Sequence, residues 1–146
     1  MINDTHLQKV REEWKGIADS DWYMSYRTEE VIAEILQSPQ TAFHKKTWEV
    51  ICSSFPSLKN RKILVPSSGD NRAVFAFAAL GADVVSCDLC EKQLEYAKEI
   101  ADRNNLKIQF SVQDTMKLSD IVSDQFDLVY TSEGVHVWIN QLPEMY

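Results

Sequence analysis

Basic residues are in short supply in this chain of 146 residues, because 15 lysines and arginines stand against 22 aspartates and glutamates. A nucleic-acid-binding surface needs clustered basic side chains that neutralise phosphates, so the net charge of -7 argues against a nucleic-acid partner. Apolar runs as long as the roughly 20 residues of a membrane span are also missing, and the first residues are not those of a signal peptide. We therefore expect neither a nucleic acid nor a membrane as partner.

Cysteine is scarce as well. Three cysteines are too few for a disulfide framework, which predicts a reducing compartment and a cytoplasmic location. Cys87 and Cys90 have the spacing of a redox or zinc pair. No second pair and no nearby histidine completes a set of four ligands, so we expect Cys87 to pack as a small apolar residue and predict no metal site.

The first 58 residues are predicted to form a helical cap. Apolar residues at helical spacing predict a helix over 5–18, a short helix capped by Thr28, and a third helix from Ser38-Pro39 to Phe55. Between the first two helices we expect a loop that carries an aromatic cluster of Trp22, Tyr23 and Tyr26, followed by Arg27.

Residues 59–146 have a different pattern, in which short apolar runs alternate with helical segments. This alternation is typical of an α/β core with a parallel sheet, joined to the cap in one domain. The predicted helices cover 71–80, 91–104 and 119–123, and a further helix begins at residue 140. The predicted strands are Ile63–Val65, Val84–Cys87, Ile108–Val112 and Phe126–Tyr130.

Three of the strand-to-helix turns carry the residue types of a ligand site, and such turns lie together beyond the carboxyl ends of a parallel sheet. The first turn, Pro66 to Asn71, is small and polar, so its backbone can approach a ligand closely. Asp88 follows the second strand, where a carboxylate can accept both hydroxyls of a ribose. The third turn, Asp114-Thr115-Met116, adds a polar contact and a soft apolar side chain. Turn chemistry and helix capping are the structural alternatives.

These segments resemble the class I S-adenosylmethionine-dependent methyltransferases. The resemblance is carried by Lys62 to Gly69, Ala79 to Leu89, Gln93 to Ala97 and Phe126 to Val129. It implies a Rossmann-like open parallel sheet of order 3-2-1-4 with helices on both faces, and S-adenosylmethionine as cofactor. It also implies a set of cofactor-binding residues, namely Pro66, Ser67, Gly69, Asp70, Asn71, Asp88, Leu89, Gln93, Asp114, Thr115, Met116 and Ser132, with Tyr26 and Arg27 from a lid.

The first turn departs from the pattern of that family. Val65 stands in place of an acid at the end of the first strand, and Ser67 and Asn71 stand in place of glycines, so only Gly69 remains. A nicotinamide-dependent oxidoreductase is an alternative because Asp88 also suits its ribose. The absence of a full G-x-G-x-x-G pattern argues against it.

A complete domain of the family has seven strands, whereas this sequence predicts four. We therefore expect a chain truncated after the fourth strand, or a partner such as a second copy that pairs with the exposed fourth strand as a homodimer. A non-catalytic cofactor-binding or regulatory fragment is the alternative to an enzyme.

The resemblance places groups that face the methyl acceptor after the fourth strand. Glu133 and His136 are the catalytic candidates there, with His136 as general base. The turn Tyr130 to Glu133 lacks the motif of methyltransferases that act on the bases of nucleic acids. The predicted function is methyl transfer to a small-molecule acceptor.

Overall fold

The computed structural model describes residues 4–120, 126–132 and 135. Its helices are α1 (Asp4–Ala18), α2 (Asp21–Ser25), α3 (Glu29–Gln37), α4 (Lys45–Ser54), α5 (Arg72–Ala79) and α6 (Glu91–Arg103), with 3₁₀ helices at Pro39–Ala42 and Thr115–Asp120. Its strands are β1 (Lys62–Val65), β2 (Asp83–Asp88), β3 (Ile108–Val112) and β4 (Leu128–Val129). Within these ranges, no helix is both long and apolar enough to span a membrane.

The four strands form one parallel sheet in the order β3-β2-β1-β4, which confirms the predicted order. Leu64 lies opposite Val85 on one side and Val129 on the other, so β1 is central. The winding of the chain reverses between β1 and β4. Ligands of open parallel sheets bind at such a reversal, beyond the carboxyl ends of the strands.

Helices α5 and α6 connect β1 to β2 and β2 to β3. Both connections step in the same direction, so right-handed crossovers place both helices on one face of the sheet. The predicted helix over 119–123 overlaps the 3₁₀ helix Thr115–Asp120, and residues 121–125 lie outside the described residues. The helix predicted from residue 140 also lies outside them.

The N-terminal helices share one hydrophobic core with the sheet. Ile32 and Ile35 of α3 are buried in the same cluster as Ile63, Val65 and Phe77. Phe43 packs its ring 5.0 Å from that of Phe77. The cap and the core around β1 and α5 thus share one set of buried apolar side chains.

Two predictions about the cap are wrong. The segment with the aromatic cluster is not a loop but the short helix α2, because the Ser20 side chain accepts a hydrogen bond from the Tyr23 amide at 3.4 Å and caps it. The third predicted helix is broken in two, since Phe43 and His44 adopt extended backbone between the 3₁₀ helix and α4. The Thr28 cap of α3 is confirmed, with its hydroxyl accepting from the Val31 amide.

Candidate functional site

A cavity of about 200 Å³ opens beyond the carboxyl ends of β1, β2 and β3. The three strand-to-helix turns line one part of it, and helices α1 and α2 line another part, the helical wall. Twelve of the residues that line the cavity were predicted as site residues from the sequence, namely Ser67, Gly69, Asp70, Asn71, Asp88, Leu89, Gln93, Asp114, Thr115, Met116, Ser132 and, from the helical side, Tyr26. The structure therefore brings together residues that lie up to about a hundred positions apart in the chain.

The turn between β1 and α5 approaches α6 closely. Gly69 has a φ of +52°, and a Cβ at this position would lie 2.5 Å from Oε1 of the buried Gln93. Only a residue without a side chain fits both the backbone conformation and the space. This requirement explains why position 69 is a glycine although Ser67 and Asn71 stand in place of the other glycines of the family pattern.

Ser67 and Asn71, which stand in place of glycines in this turn, differ in their backbone conformation. Ser67 has a φ of +48°, a left-handed conformation that disfavours a side chain, and its hydroxyl lies 2.5 Å from that of Thr115. Asn71 has an ordinary φ of -56° and caps α5, with its side-chain oxygen accepting from the Ala73 amide at 2.9 Å. Its amide group donates to the Ser132 hydroxyl at 2.6 Å, which joins this turn to the segment after β4.

Asp88 lies at the end of β2, and backbone amides hold its carboxylate. Oδ2 accepts from the Gly69 amide at 2.8 Å, and Oδ1 accepts from the Cys90 amide at 2.7 Å. Burial raises the pKa of the Asp88 carboxyl, while the hydrogen bonds from Cys90 and Gly69 act in the opposite direction. The carboxylate is thus fixed in orientation at the junction of the first two turns.

The third turn is ordered in a similar way. Asp114 accepts a hydrogen bond from the Met116 amide at 3.0 Å through Oδ1. Thr115 is buried against Ser67, and Met116 is half-buried at the cavity wall. The turn presents a carboxylate and a flexible thioether to the same cavity.

Arg27 and Pro66 were predicted as site residues but do not line the cavity. Pro66 is fully buried beneath the turn. Arg27 forms an ion pair with Asp70 and is also hydrogen-bonded to the carbonyl of Ala18. Its side chain is only 7% exposed, because it lies against the ring of Tyr96, with the guanidinium carbon 4.0 Å from the ring centroid.

Sequence reasoning missed the contribution of α1. The helical wall is mostly apolar and aromatic. It consists of Leu7, Val10 and Trp14 of α1 and Trp22, Tyr23 and Tyr26 near α2, with His6 of α1 as a polar member. The signal was present, because Leu7, Val10 and Trp14 define one apolar face. The spacing predicts a helix, but it does not indicate that these side chains, which are only half-buried, border the cavity. Val135 also lines the cavity.

The predicted catalytic residues Glu133 and His136 lie outside the described residues. Their roles stay predictions.

The two cysteines near Asp88 are buried and free. Burial raises the pKa of Cys87 to about 11, so its side chain is a neutral thiol at neutral pH. Burial also raises the pKa of Cys90. Redox and metal chemistry need a thiolate, so the environment of Cys87 favours the packing role that we predicted for it.

The geometry defines a Rossmann-like domain with a ligand cavity at its topological switch point, and the family follows from sequence comparison. A family model described as a methyltransferase domain matches residues 63–146, which is more than half of the chain. The chain belongs to this methyltransferase domain family.

Two relatives support this membership. The chain is 37% identical over 76 residues to the uncharacterized methyltransferase YbaJ of Bacillus subtilis (strain 168), which covers 51% of this chain and 29% of the relative. It is 36% identical over 85 residues to a ubiquinone biosynthesis O-methyltransferase of Pelagibacter ubique (strain HTCC1062), which covers 58% of this chain and 35% of the relative. The matches span about a third of the length of each relative.

Solved structures show the same fold. Magnesium protoporphyrin IX methyltransferase from Synechocystis PCC 6803, solved with bound S-adenosylhomocysteine, is similar with a TM-score of 0.63 at 17% identity. The similarity covers 85% of this chain and 57% of that one. It confirms the α/β class and extends over the helical cap as well as the sheet.

Proposed function

We propose that this chain provides the S-adenosylmethionine-binding domain of a methyltransferase that acts on a small-molecule acceptor. The observation that carries the proposal is the convergence of the three turns on one cavity, whose lining includes Asp88. The family membership supports the reaction type.

The residues of the cavity fit this cofactor. A carboxylate has about four lone-pair sites. Two backbone amides occupy one site on each oxygen of Asp88, so further sites can accept the two hydroxyls of a ribose. Leu89 and Met116 give an apolar surface for the adenine, with Asp114 as a polar contact. The thioether end of the cofactor would bind where the first turn approaches α6 closely, beside Ser67, Gly69 and Gln93.

The cofactor supplies the methyl group and its sulfonium leaving group. What the protein adds is orientation and exclusion of water, and these can carry most of such a reaction. Helices α1 and α2 support this role because their apolar side chains line the same cavity as the turns. Glu133 and His136 are proposed to face the acceptor, with His136 as general base.

An acceptor with an apolar body suits the helical wall, which carries Trp14, Trp22 and Tyr26. The acidic balance of the chain supports a small molecule over a nucleic acid as the acceptor.

A cytoplasmic location is supported by the three free cysteines. A homodimer through β4 is supported by Val129, an apolar side chain that is 53% exposed, and the mass in solution with and without Val129→Lys would test it.

Isothermal titration with S-adenosylmethionine and, separately, with NAD tests the cofactor. We expect saturable binding of S-adenosylmethionine alone and its loss in Asp88→Ala. Asp83→Ala is the matched control, because Asp83 is exposed at the opposite end of the same strand. Absence of binding by the folded protein would refute the proposal. Binding without methyl transfer to any acceptor in a screen would favour the non-catalytic alternative.

A further inference from the structure

Arg72 is a cation of the cavity that has no acidic partner in the part of the chain that the structure describes. It is half-buried and lines the cavity at the start of α5. The ion pairs of the described residues use other arginines and lysines, such as Arg27, Arg61 and Arg103, and none of them uses Arg72.

The acids that line the same cavity have other partners. Asp70 pairs with Arg27. Backbone amides bind both oxygens of Asp88 and one oxygen of Asp114. The positive charge of Arg72 is therefore available to an anionic group of a ligand.

The stability of α5 does not account for an arginine at this position. Arg72 is the first residue of the helix, and the free amides of a helix N-terminus carry partial positive charge. A cation there is unfavourable for the helix. The guanidinium carbon lies 5.0 Å from the ring centroid of Tyr26, a cation–π contact that uses none of the five N–H donors of the arginine.

Tyr26 also joins Arg72 to the aromatic part of the helical wall. The rings of Tyr26 and Trp22 pack edge to face, with their centroids 4.9 Å apart. Trp22 lines the cavity and is nevertheless 57% exposed, so much of its apolar surface has no protein partner. The cavity thus presents a cation next to an uncovered apolar surface.

The position of Arg72 in the chain separates it from the turns proposed to hold the ribose and the adenine. Those turns follow β2 and β3, which lie on one side of β1. Arg72 comes directly after Asn71, whose amide group donates to the Ser132 hydroxyl at 2.6 Å. Ser132 follows β4, on the other side of β1, where the proposed function places the acceptor.

We infer that Arg72 binds a carboxylate of the methyl acceptor, so that the acceptor is a carboxylic acid with an apolar body. This inference rests on the proposed function. The planar fork of a guanidinium matches the two oxygens of a carboxylate. A single cation in a cavity that also contains three acids suits a singly charged group better than a doubly charged phosphate.

Matched pairs of acid and amide test the inference by titration calorimetry at neutral pH, with S-adenosylhomocysteine present at saturation. The probes are benzoate, 2-naphthoate and decanoate, each with its uncharged amide. At least one acid should bind the wild type about tenfold more tightly than its amide, the lower end of what a hydrogen bond between charged groups contributes. Arg72→Gln should abolish this preference. Arg103→Gln is the matched control and should keep it, because Arg103 is exposed on α6 and does not line the cavity.

A second titration separates the acceptor from the cofactor, which carries a carboxylate of its own. Arg72→Gln should bind S-adenosylhomocysteine and 5′-methylthioadenosine, which lacks the amino-acid arm, within about twofold of the wild type. A loss confined to S-adenosylhomocysteine would assign Arg72 to the carboxylate of the cofactor and overturn the inference.

The remaining outcomes distinguish this inference from the proposed function. If the wild type does not bind S-adenosylhomocysteine, the proposed function fails. If it binds S-adenosylhomocysteine but prefers none of the acids, or if the preference survives in Arg72→Gln, only the inference on Arg72 is overturned. Arg72→Lys keeps the charge without the fork and is the second variant should Arg72→Gln not fold. It should weaken the preference, and an unchanged preference in Arg72→Lys would contradict binding through the fork.

Discussion

Replacing Gly69 by alanine should disturb both the stability and the ligand binding of the protein. At a φ of +52° a side chain costs about 1–2 kcal/mol, and the new Cβ would meet Gln93 Oε1 at 2.5 Å. For a domain of this size each kcal/mol corresponds to about 2–4 °C in Tm, so the strain alone should lower Tm by about 2–8 °C. Displacement of the buried Gln93 adds to this loss and narrows the cavity.

Thermal unfolding followed by circular dichroism measures the effect, and the chain offers a matched control. Gly16 lies in α1 with no atom within 4 Å of its ideal Cβ, so Gly16→Ala should stabilise the protein by up to about 1 kcal/mol through helix propensity. We therefore expect Gly69→Ala to lower Tm and Gly16→Ala to raise it.

A double-mutant cycle separates the two causes. Adding Gln93→Ala to Gly69→Ala removes the clash but leaves the backbone strain, so the combined loss should be smaller than the sum of the single losses. Our reasoning about this turn would be refuted if Gly69→Ala had the Tm and the cofactor affinity of the wild type.

Three further predictions concern other contacts. Asn71→Ala should cost about 1 kcal/mol in urea denaturation through loss of the α5 cap, whereas Ser132→Ala, which removes only the partner of the Asn71 amide group, should cost less. Because burial raises the pKa of Asp88 above the ordinary 3.8, its contribution to stability is present below that pH and is lost as the pH rises through the folded-state pKa. As the pH rises through that pKa, the unfolding free energy of the wild type should therefore fall more steeply than that of Asp88→Asn. An equal pH dependence in the two proteins would contradict a raised pKa of Asp88. Asp19→Asn should speed amide hydrogen exchange in α1, because Asp19 follows this helix and pairs with Lys92 and Tyr96 of α6. The control is Asp102→Asn, which changes an exposed aspartate paired with Lys98. If both variants exchange at the same rate, the contact of Asp19 with α6 does not hold α1.

The sheet was predictable because its signals are local. Ile63 to Val65 is a continuous apolar run, and Val84 to Cys87 is apolar except at Ser86, as is typical of parallel strands buried on both faces. The strand β3 was predicted with its observed bounds. Most of the polar wall of the site followed from the same reasoning, since residues after parallel strands must meet at one edge.

The remaining features depend on tertiary contacts. Helix α2 has five residues, too few for a periodic pattern, and it depends on the Ser20 cap and on ring packing between Trp22 and Tyr26 at 4.9 Å. The pairing of Arg27 with Asp70 joins residues 43 positions apart, and no spacing rule indicates it. The same holds for α1, whose apolar face predicts burial but not whether the buried partner is protein or ligand.

That half-buried face of α1 has a thermodynamic consequence. Leu7, Val10 and Trp14 keep part of their apolar surface in contact with water along the cavity. A molecule bound there would remove this surface from water, so its binding should show a negative heat-capacity change larger than the apolar surface of the molecule alone explains. The first helix would then hold its place in part through the ligand, and its susceptibility to proteases would become a measure of occupancy.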